Sequence, residues 1–517
     1  MGNLRHRAAA RLLACMGAVT VLSAASQTFV GAFDVGPSGN PQKFNPLVAP
    51  AGFSFYNKYF STLTLYDVGL QKISGDLAEG WTYAADGRTL TIRVRPGVTW
   101  HDGKPLTARD VKFTLDLVRN PDMGSVFIGR LEAVSEIRVV DEHTVAILLK
   151  TADVTLPDAF TTIMILPEHL LGRMAAKELR DADWWRSPVG SGPFRWVRYL
   201  PDQYVELEAN KAFYRGAPKL DKLVNRYFKD VASAATALQA GEIQHTYLSL
   251  DLVSDKAGRA NFEVVSGPSH VLNYLGFNHR DARFQDLRVR RALLLAIDRG
   301  AIVKSLYGGN ARLGQCVLTL PKYVAGGLDR HEANAARARA LLQEAGWARA
   351  GKGEPLELLT YYNDQLSKDV LAAIQAMLAA VGVAVRPRFV DTPTYSRLVD
   401  AGEFTLVFAG QGNGPDPSVL NTVLDSQYVP PRGLNRMRIH MRELDRLLEA
   451  GQAELDETRR VEIYRQLCRL TNSQLPILPL WTANRFGGFA RNVQDAVWTP
   501  SPGGGRYQDF PERWSLR

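Results

Sequence analysis

The sequence predicts an α/β protein made of more than one packed unit, and three observations carry that expectation. From Leu77 to Val111 a strand, a turn and a capped helix follow one another in a single run. From Val271 onward strands and helices alternate, the pattern of an α/β unit. About 490 residues remain after an exported leader, and 46% hydrophobic content is that of an ordinary globular chain, so two or three cores can be filled.

Within the first run, Thr89, Thr91 and Arg93 alternate with Leu90, Ile92 and Val94, the period of a strand with one buried face. Asp86-Gly87, Pro96-Gly97 and Asp102-Gly103 supply turns around it. Thr107 reads as the N-cap of a helix beginning near Ala108, with Asp110 in the first turn, where the helix dipole favours negative charge. Trp100, His101 and Asp102 are expected to be scaffold, because a His beside an Asp in a turn is usually a loop hydrogen bond. Upstream, aromatic and leucine positions from Phe55 to Leu65 suggest a first helix. Downstream, Val134 to Leu149 gives two strands broken at Asp141-Glu142, and Val231 to Ala240 gives a helix closed by Gly241.

The second block opens with the strand VLNYLGFN and the helical pattern of FQDLRVRRALLLAIDR. Helices at 333–345, 366–380 and 393–401 alternate with strands at 356–361, 383–389 and 404–408. A helical pair at 441–450 and 458–472 leads to the strand LPILPLWTANRF.

The run around TWHDGKPLTARDV, together with SPVGSGPFRWVRY, VELEANKAFYRGAPKLDKLVNRYF and the block from Val271, resembles the family 5 extracytoplasmic solute-binding proteins. These are the peptide, nickel and oligosaccharide receptors of ABC importers. The resemblance implies a two-lobed periplasmic binding protein fold with an extra domain in the first lobe and a hinge of two crossings, near Ser269 and Asn484. It divides the chain into a signal peptide (1–25), a first-lobe core (26–55, 186–270 and 485–517), an additional domain (56–185) and a second lobe (271–484). It implies import rather than catalysis: a monomeric periplasmic receptor that delivers a peptide-like or other small polar solute to permease subunits, with no cofactor. A secreted α/β hydrolase and a sensing module not coupled to transport are the alternatives.

Arg5, Arg7 and Arg11 precede the apolar run Leu12–Leu22 and the small residues Ser23-Ala24-Ala25, the layout of a secretory signal cleaved after Ala25. Leu12-Leu13-Ala14-Cys15 spells a lipoprotein box, but Arg11 leaves no apolar segment ahead of the cysteine, so Ser26 is expected as an unlipidated terminus. Without that leader, 59 basic and 53 acidic side chains give a formal +6, scattered and without aromatic interleaving, which argues against nucleic acid as a partner. Cys316 and Cys468 then remain, 152 positions apart. They pair if the fold brings their Cα atoms within about 7 Å; otherwise Cys468 is a small core residue.

Catalytic signatures are absent: there is no HExxH, GxSxG or GxxxxGK[ST], and the nine histidines show no metal-ligand spacing. Gly410, Gly412 and Gly414 follow a strand in a GxGxG pattern, but Pro415 and Pro417 forbid the helix that would hold a pyrophosphate. By motif match, the resemblance implies ligand contacts from Phe53, Tyr56 and Asn57 in the first lobe and from Phe127 in the additional domain. In the second lobe it implies Tyr395, Gln411, Asn413, Asp416 and Asn421, and at the hinge Trp481, Thr482 and Asn484. Phe53, Phe127, Tyr395 and Trp481 could equally be core aromatics. Peptide receptors of this family set an aspartate in the loop after Gly410 to pair with the ligand's ammonium. Here amides and glycines stand in its place, which favours a neutral or sugar-like ligand unless Asp416 reaches in; otherwise Asp416 caps the turn before Val419.

Overall fold

The computed structural model describes residues 27–32, 43–48, 53–254, 260–347, 355–497 and 510–517. The expected leader, its cleavage point and Cys15 lie outside these residues. Among them no helix is long and apolar enough to cross a membrane.

The Leu77–Val111 run folds as its pattern requires. Ala78–Tyr83, Thr89–Val94, Thr144–Leu149 and Val134–Asp141 form, in that order, a four-stranded antiparallel sheet. Leu90, Ile92 and Val94 are buried on one face. The helix Ala108–Arg119 starts at Thr107, whose N–H donates to the Asp110 carboxylate (2.8 Å) while its Oγ1 accepts from the Arg109 N–H (3.3 Å). His101 does bond the backbone, contacting the Gly192 carbonyl at 3.0 Å and accepting from the Gly190 N–H at 3.2 Å. Gly190 is obligatory, since a Cβ there would lie 1.7 Å from the Tyr59 carbonyl oxygen. The WHDGKP turn therefore acts as a clamp on residues 190–192. Its Asp102 pairs with His169 at 2.7 Å, a partner no local pattern announces.

The helix expected over Phe55–Leu65 is confined to Phe53–Tyr56, and Thr64–Tyr66 is a strand. Between them residues 57–59 form a hydrogen-bonded turn, and the chain from there on is held by partners elsewhere. The Phe194 and Gly192 N–H groups donate to the Lys58 and Tyr59 carbonyls, and Thr62 bridges Met164. Tertiary pairing has overridden local periodicity.

The second sheet has eleven strands and spans most of the molecule. Its order is Val385–Phe389, Leu356–Thr360, Leu406–Gly412, Phe262–Phe277, Leu478–Ala490, His245–Leu248, Thr28–Ala32, Lys222–Arg226, Tyr204–Ala209 and Phe194–Leu200. The short strand Ala311–Leu313 also joins Leu478–Ala490. Two long strands thus run through the centre of the sheet. Residues 262–268 of the first pair with 484–490 of the second, next to His245–Leu248. Residues 271–277 pair with 406–412 on one side and, through 272–275, with 478–482 on the other. The register shifts between Pro268 and Leu272, where His270 adopts a left-handed φ of 56°.

Separate cores flank the two ends. One collects Phe29, Phe44, Tyr56, Tyr59, Trp100, Trp185 and Phe194. Two others lie on opposite faces of the 356–412 strands, around Phe408, Trp481 and Ile374 and around Tyr395, Leu447 and Tyr464. Aspartates cap many of the helices, including Gln365–Ala380 (Asp364) and Thr392–Ala401 (Asp391). The expected helix at 441–450 extends to Arg442–Ala453, and that at 458–472 to Glu457–Gln474. Cys316 and Cys468 are joined, with Cα atoms 5.3 Å apart, so the long-range pairing that sequence left open is made. The C-terminal segment lies against the first core: Trp514 packs on Phe29 at 5.0 Å, and Glu512 pairs with Arg215 at 3.2 Å.

Candidate ligand-binding cleft

The central strands place residues from four distant stretches in one row. Gln411 pairs with Leu272, Leu272 with Thr482, and Thr482 with Arg312, so the four occupy adjacent positions across neighbouring strands. Side chains at paired positions point to the same sheet face. Leu272, Arg312 and Thr482, with Gly314, Gln315 and Thr319 from the segment that follows, line a cavity of about 320 Å³. Asn484 lies two residues beyond Thr482, its N–H donating to the Asn310 carbonyl at 2.8 Å.

A second cavity of about 400 Å³ opens on the other side of Gln411. Tyr274, Tyr361, Tyr395, Gly410, Arg436 and Met437 contribute to it. Tyr395 is otherwise buried and meets Tyr361 edge-on, with ring centroids 4.9 Å apart. Burial pushes the Tyr395 and Tyr362 hydroxyls well above the usual phenol range, so both are neutral hydrogen-bonding groups. Gly410 permits this arrangement, because a Cβ there would lie 2.3 Å from the Tyr362 hydroxyl. Arg436 is neutralised by Asp400 at 2.8 Å. Most of its walls are aromatic and aliphatic, with Thr392, Ser396, Gln411, Thr422 and Arg436 as the polar members.

Asn413 is 6% exposed, and neither atom of its side-chain amide has a hydrogen-bond partner. Its N–H donates to the His270 carbonyl at 2.9 Å, tying it to the hinge irregularity. A buried, unanswered amide is costly and marks a place where a ligand could satisfy it. Asp416 is otherwise engaged. It is 5% exposed, accepts two hydrogen bonds from Arg460 at 2.7 and 2.8 Å, and caps the turn Pro417–Leu420 through the Ser418 N–H. Asn421 donates to Gln452 (2.7 Å) and to the Leu448 carbonyl, which fixes it to the helix Arg442–Ala453. Trp481 is fully buried against Tyr307 and Phe408, on the core side of the sheet.

Tyr56, Asn57 and Phe127 line neither cavity. Tyr56 is fully buried and meets Tyr59 edge-on at 6.1 Å; both hydroxyls are without partners, and burial raises both above the phenol range. Asn57 is buried beside it. Phe53 opens the short helix Phe53–Tyr56. Phe127 is half-buried on the first core.

A third cavity, of about 520 Å³, lies between the 78–94 sheet region and the second lobe, with Trp81 and Tyr83 facing Tyr323, Asp416 and Arg460. Sequence reasoning missed it, and missed Leu272, Arg312, Tyr361 and Tyr362. The tyrosine pair at least carried a signal: it sits immediately after the strand Leu356–Thr360, and ligands of open α/β sheets gather at such carboxyl ends. Among the described residues, no group of three or more His, Cys, Asp or Glu is placed to hold a metal ion.

Comparison with known proteins accords with this architecture. The family described as "Bacterial extracellular solute-binding proteins, family 5 Middle" matches residues 72–429. A Brucella melitensis protein, provisionally assigned as an ABC transporter peptide-binding protein, is 44% identical over 498 residues, covering 95% of this chain and 94% of its own. The oligopeptide-binding protein AppA of Bacillus subtilis is 27% identical over 519 residues, covering 95% of this chain and 94% of its own. The structure of AppA in complex with a nonapeptide superposes with a TM-score of 0.78 at 25% identity, covering 95% and 99% of the two chains. The substrate-binding protein CtaP of Listeria monocytogenes shares the fold with a TM-score of 0.84 at 24% identity, covering 95% and 99%. With two lobes sharing a sheet and a family match over more than half its length, the chain belongs to the family 5 bacterial extracellular solute-binding proteins.

Proposed function

We propose that this protein is the extracytoplasmic receptor of an ABC importer, capturing a short peptide or a peptide-like polar solute between its lobes and presenting it to permease subunits. The observation that carries the reading is the pair of long strands, Phe262–Phe277 and Leu478–Ala490, which are the central members of the shared sheet. On this reading one lobe comprises 26–55, 186–270 and 485–517 with the additional domain 56–185, and the other comprises 271–484. A solute that touches both lobes binds the closed arrangement better than the open one and shifts the population by that difference. The Brucella and Bacillus relatives favour peptides as the solute class. Gln411, Asn413, Thr482 and Asn484, with Tyr395, are the ligand contacts we assign; Asp416, Asn421 and Trp481 we assign to the scaffold. Phe53, Asn57 and Phe127 remain the contacts proposed for the first lobe, and Tyr56, fully buried in the first core, joins the scaffold. Because Asp416 is committed to Arg460, a peptide's ammonium must find another partner or stay near solvent.

The test is mass spectrometry of solute carried through native purification, followed by small-angle scattering with that solute added back to stripped protein. The expected outcome is a bound solute and a smaller radius of gyration at saturation. An unchanged radius would refute closure, and multiple-turnover release of product would refute the receptor reading.

A further inference from the structure

The cavity beside Arg312 carries only one kind of charge. Arg312, Gln315, Thr319 and Thr482 are its polar lining, no carboxylate faces it, and the remaining walls are aliphatic, glycine and proline. Arg299, which reaches the cavity wall at Gly314, is spent on structure. Arg299 donates to the carbonyls of Gly314 (2.7 Å), Pro479 (2.9 Å), Arg330 (2.6 Å) and His331 (3.1 Å). Arg290 likewise binds the carbonyls of Phe284, Gln285 and Gln474. Arg312 is different. It is exposed, and among the described residues it has neither an ion-pair nor a hydrogen-bond partner.

Its position is nevertheless fixed. The backbone of Ala311–Leu313 is paired to Thr482 and its neighbours, and the Gly314 N–H donates to the Leu480 carbonyl at 2.9 Å. Two residues later Cys316 is bonded to Cys468. The anchored backbone fixes where the side chain starts, so a ligand has to order the Arg312 side chain alone and not the segment that carries it.

Unsatisfied groups adjoin it. Thr319 Oγ1 is buried without a partner. His270, 8% exposed, has an unpartnered Nδ1, and Asn413, whose backbone N–H donates to the His270 carbonyl, has a side-chain amide without partners. Burial, with the Arg312 charge nearby, lowers the His270 imidazole to about 4, so the ring is neutral and does not compete with Arg312 for an anion.

We propose that this cavity holds a carboxylate of the bound solute, with the Arg312 guanidinium as its counter-ion and Thr482 and Thr319 as hydroxyl donors. The inference rests on the reading of the protein as a receptor for peptide-like solutes and names the group that the second lobe recognises. A planar guanidinium offers two parallel N–H donors to a carboxylate, a geometry that a lysine ammonium does not reproduce.

The test compares tri- to pentapeptides bearing a free carboxylate with the same peptides as C-terminal amides, by calorimetry on the full-length mature protein. The parent is expected to prefer the free carboxylates by about tenfold or more, the worth of a charge-assisted bond. Arg312→Gln is expected to bind both forms alike, Arg312→Lys to fall between, and both variants to keep the parental thermal midpoint because the side chain is exposed. Equal binding of acids and amides by the parent would overturn the proposal. So would an equal loss of both forms in Arg312→Gln, or displacement of the peptides by an equal concentration of inorganic phosphate. If no peptide binds, the peptide reading fails and the solute carried through purification decides. A non-peptide carboxylate shed by Arg312→Gln supports the site, whereas a neutral solute retained equally by parent and variant overturns it.

Discussion

Replacing Asp416 with alanine separates a scaffold residue from a ligand contact. The carboxylate and the Arg460 guanidinium are 7% and 13% exposed and joined by two short hydrogen bonds. Removing one member of such a pair leaves the other charge buried and unpaired, at a cost of about 3–5 kcal/mol. Loss of the cap on the Ser418 N–H adds about 1 kcal/mol. For a unit the size of the second lobe, each kcal/mol lowers the midpoint by about 2–4 °C, so a fall of about 10–20 °C is expected by scanning calorimetry. The double variant Asp416→Ala with Arg460→Met should recover much of the loss, because the orphaned charge is gone. Burial alone would raise the Asp416 carboxyl, but the Arg460 charge and the hydrogen bonds of Arg460 and Ser418 outweigh it and hold the group well below its usual range. The pair's contribution is therefore complete above the unfolded carboxyl's value of about 3.9 and is lost as the pH falls through the folded value. In Asp416→Ala the midpoint should lose that part of its acid dependence. An unchanged midpoint, combined with lost affinity confined to peptides with a free α-amino group, would show that Asp416 faces the ligand.

Two further perturbations probe the same lobe. Reducing the Cys316–Cys468 bridge frees a loop of 152 positions. The chain-entropy relation puts that at about 5 kcal/mol, read as a lower denaturant midpoint with reductant. Coincident curves with and without reductant would refute it. Asn413→Ala should weaken solute binding while leaving the thermal midpoint unchanged or slightly raised, since it deletes two buried atoms that have no partners. A lower midpoint with undiminished affinity would place Asn413 in the scaffold.

What was legible in the sequence was local. Thr107 with Asp110, Gly241 after its helix, and the alternation at Thr89–Val94 each carry their own structural instruction within a few residues, and the structure follows them. The second-lobe strands and helices were readable for the same reason. The failures are all non-local. Phe55–Leu65 has helical spacing, yet the helix stops at Tyr56, and bonds to Ile165 and to residues 73–76 draw the later part straight. Trp481 stands in the right strand, but as the neighbour of Thr482 it points to the opposite face, toward Phe408 and away from the row. Arg312 offered no motif at all. Its place beside Thr482 depends on register between strands some 170 residues apart, and register is decided by which faces must be buried. Of the candidate contacts, which motif match and not local periodicity pointed to, Gln411 and Thr482 stand in the row itself and Asn413 and Asn484 lie close to it. Asp416 and Asn421 were chosen because they continue the same loop, and the fold spends them on Arg460 and Gln452.

The shared sheet also limits how the receptor can meet a membrane partner. Two bodies on a flexible tether could offer a permease countless relative orientations, and recognising one of them would carry a large entropic cost. Here residues 262–268 and 484–490 belong to the same hydrogen-bonded ladder as residues 271–277 and 406–412. The bodies can twist about that ladder but cannot slide or tumble independently without breaking it. On the proposed reading, occupancy is thereby reduced to a single angle displayed on outer surfaces, and a docking partner that fits one value of that angle would read the cargo's presence without touching the cargo.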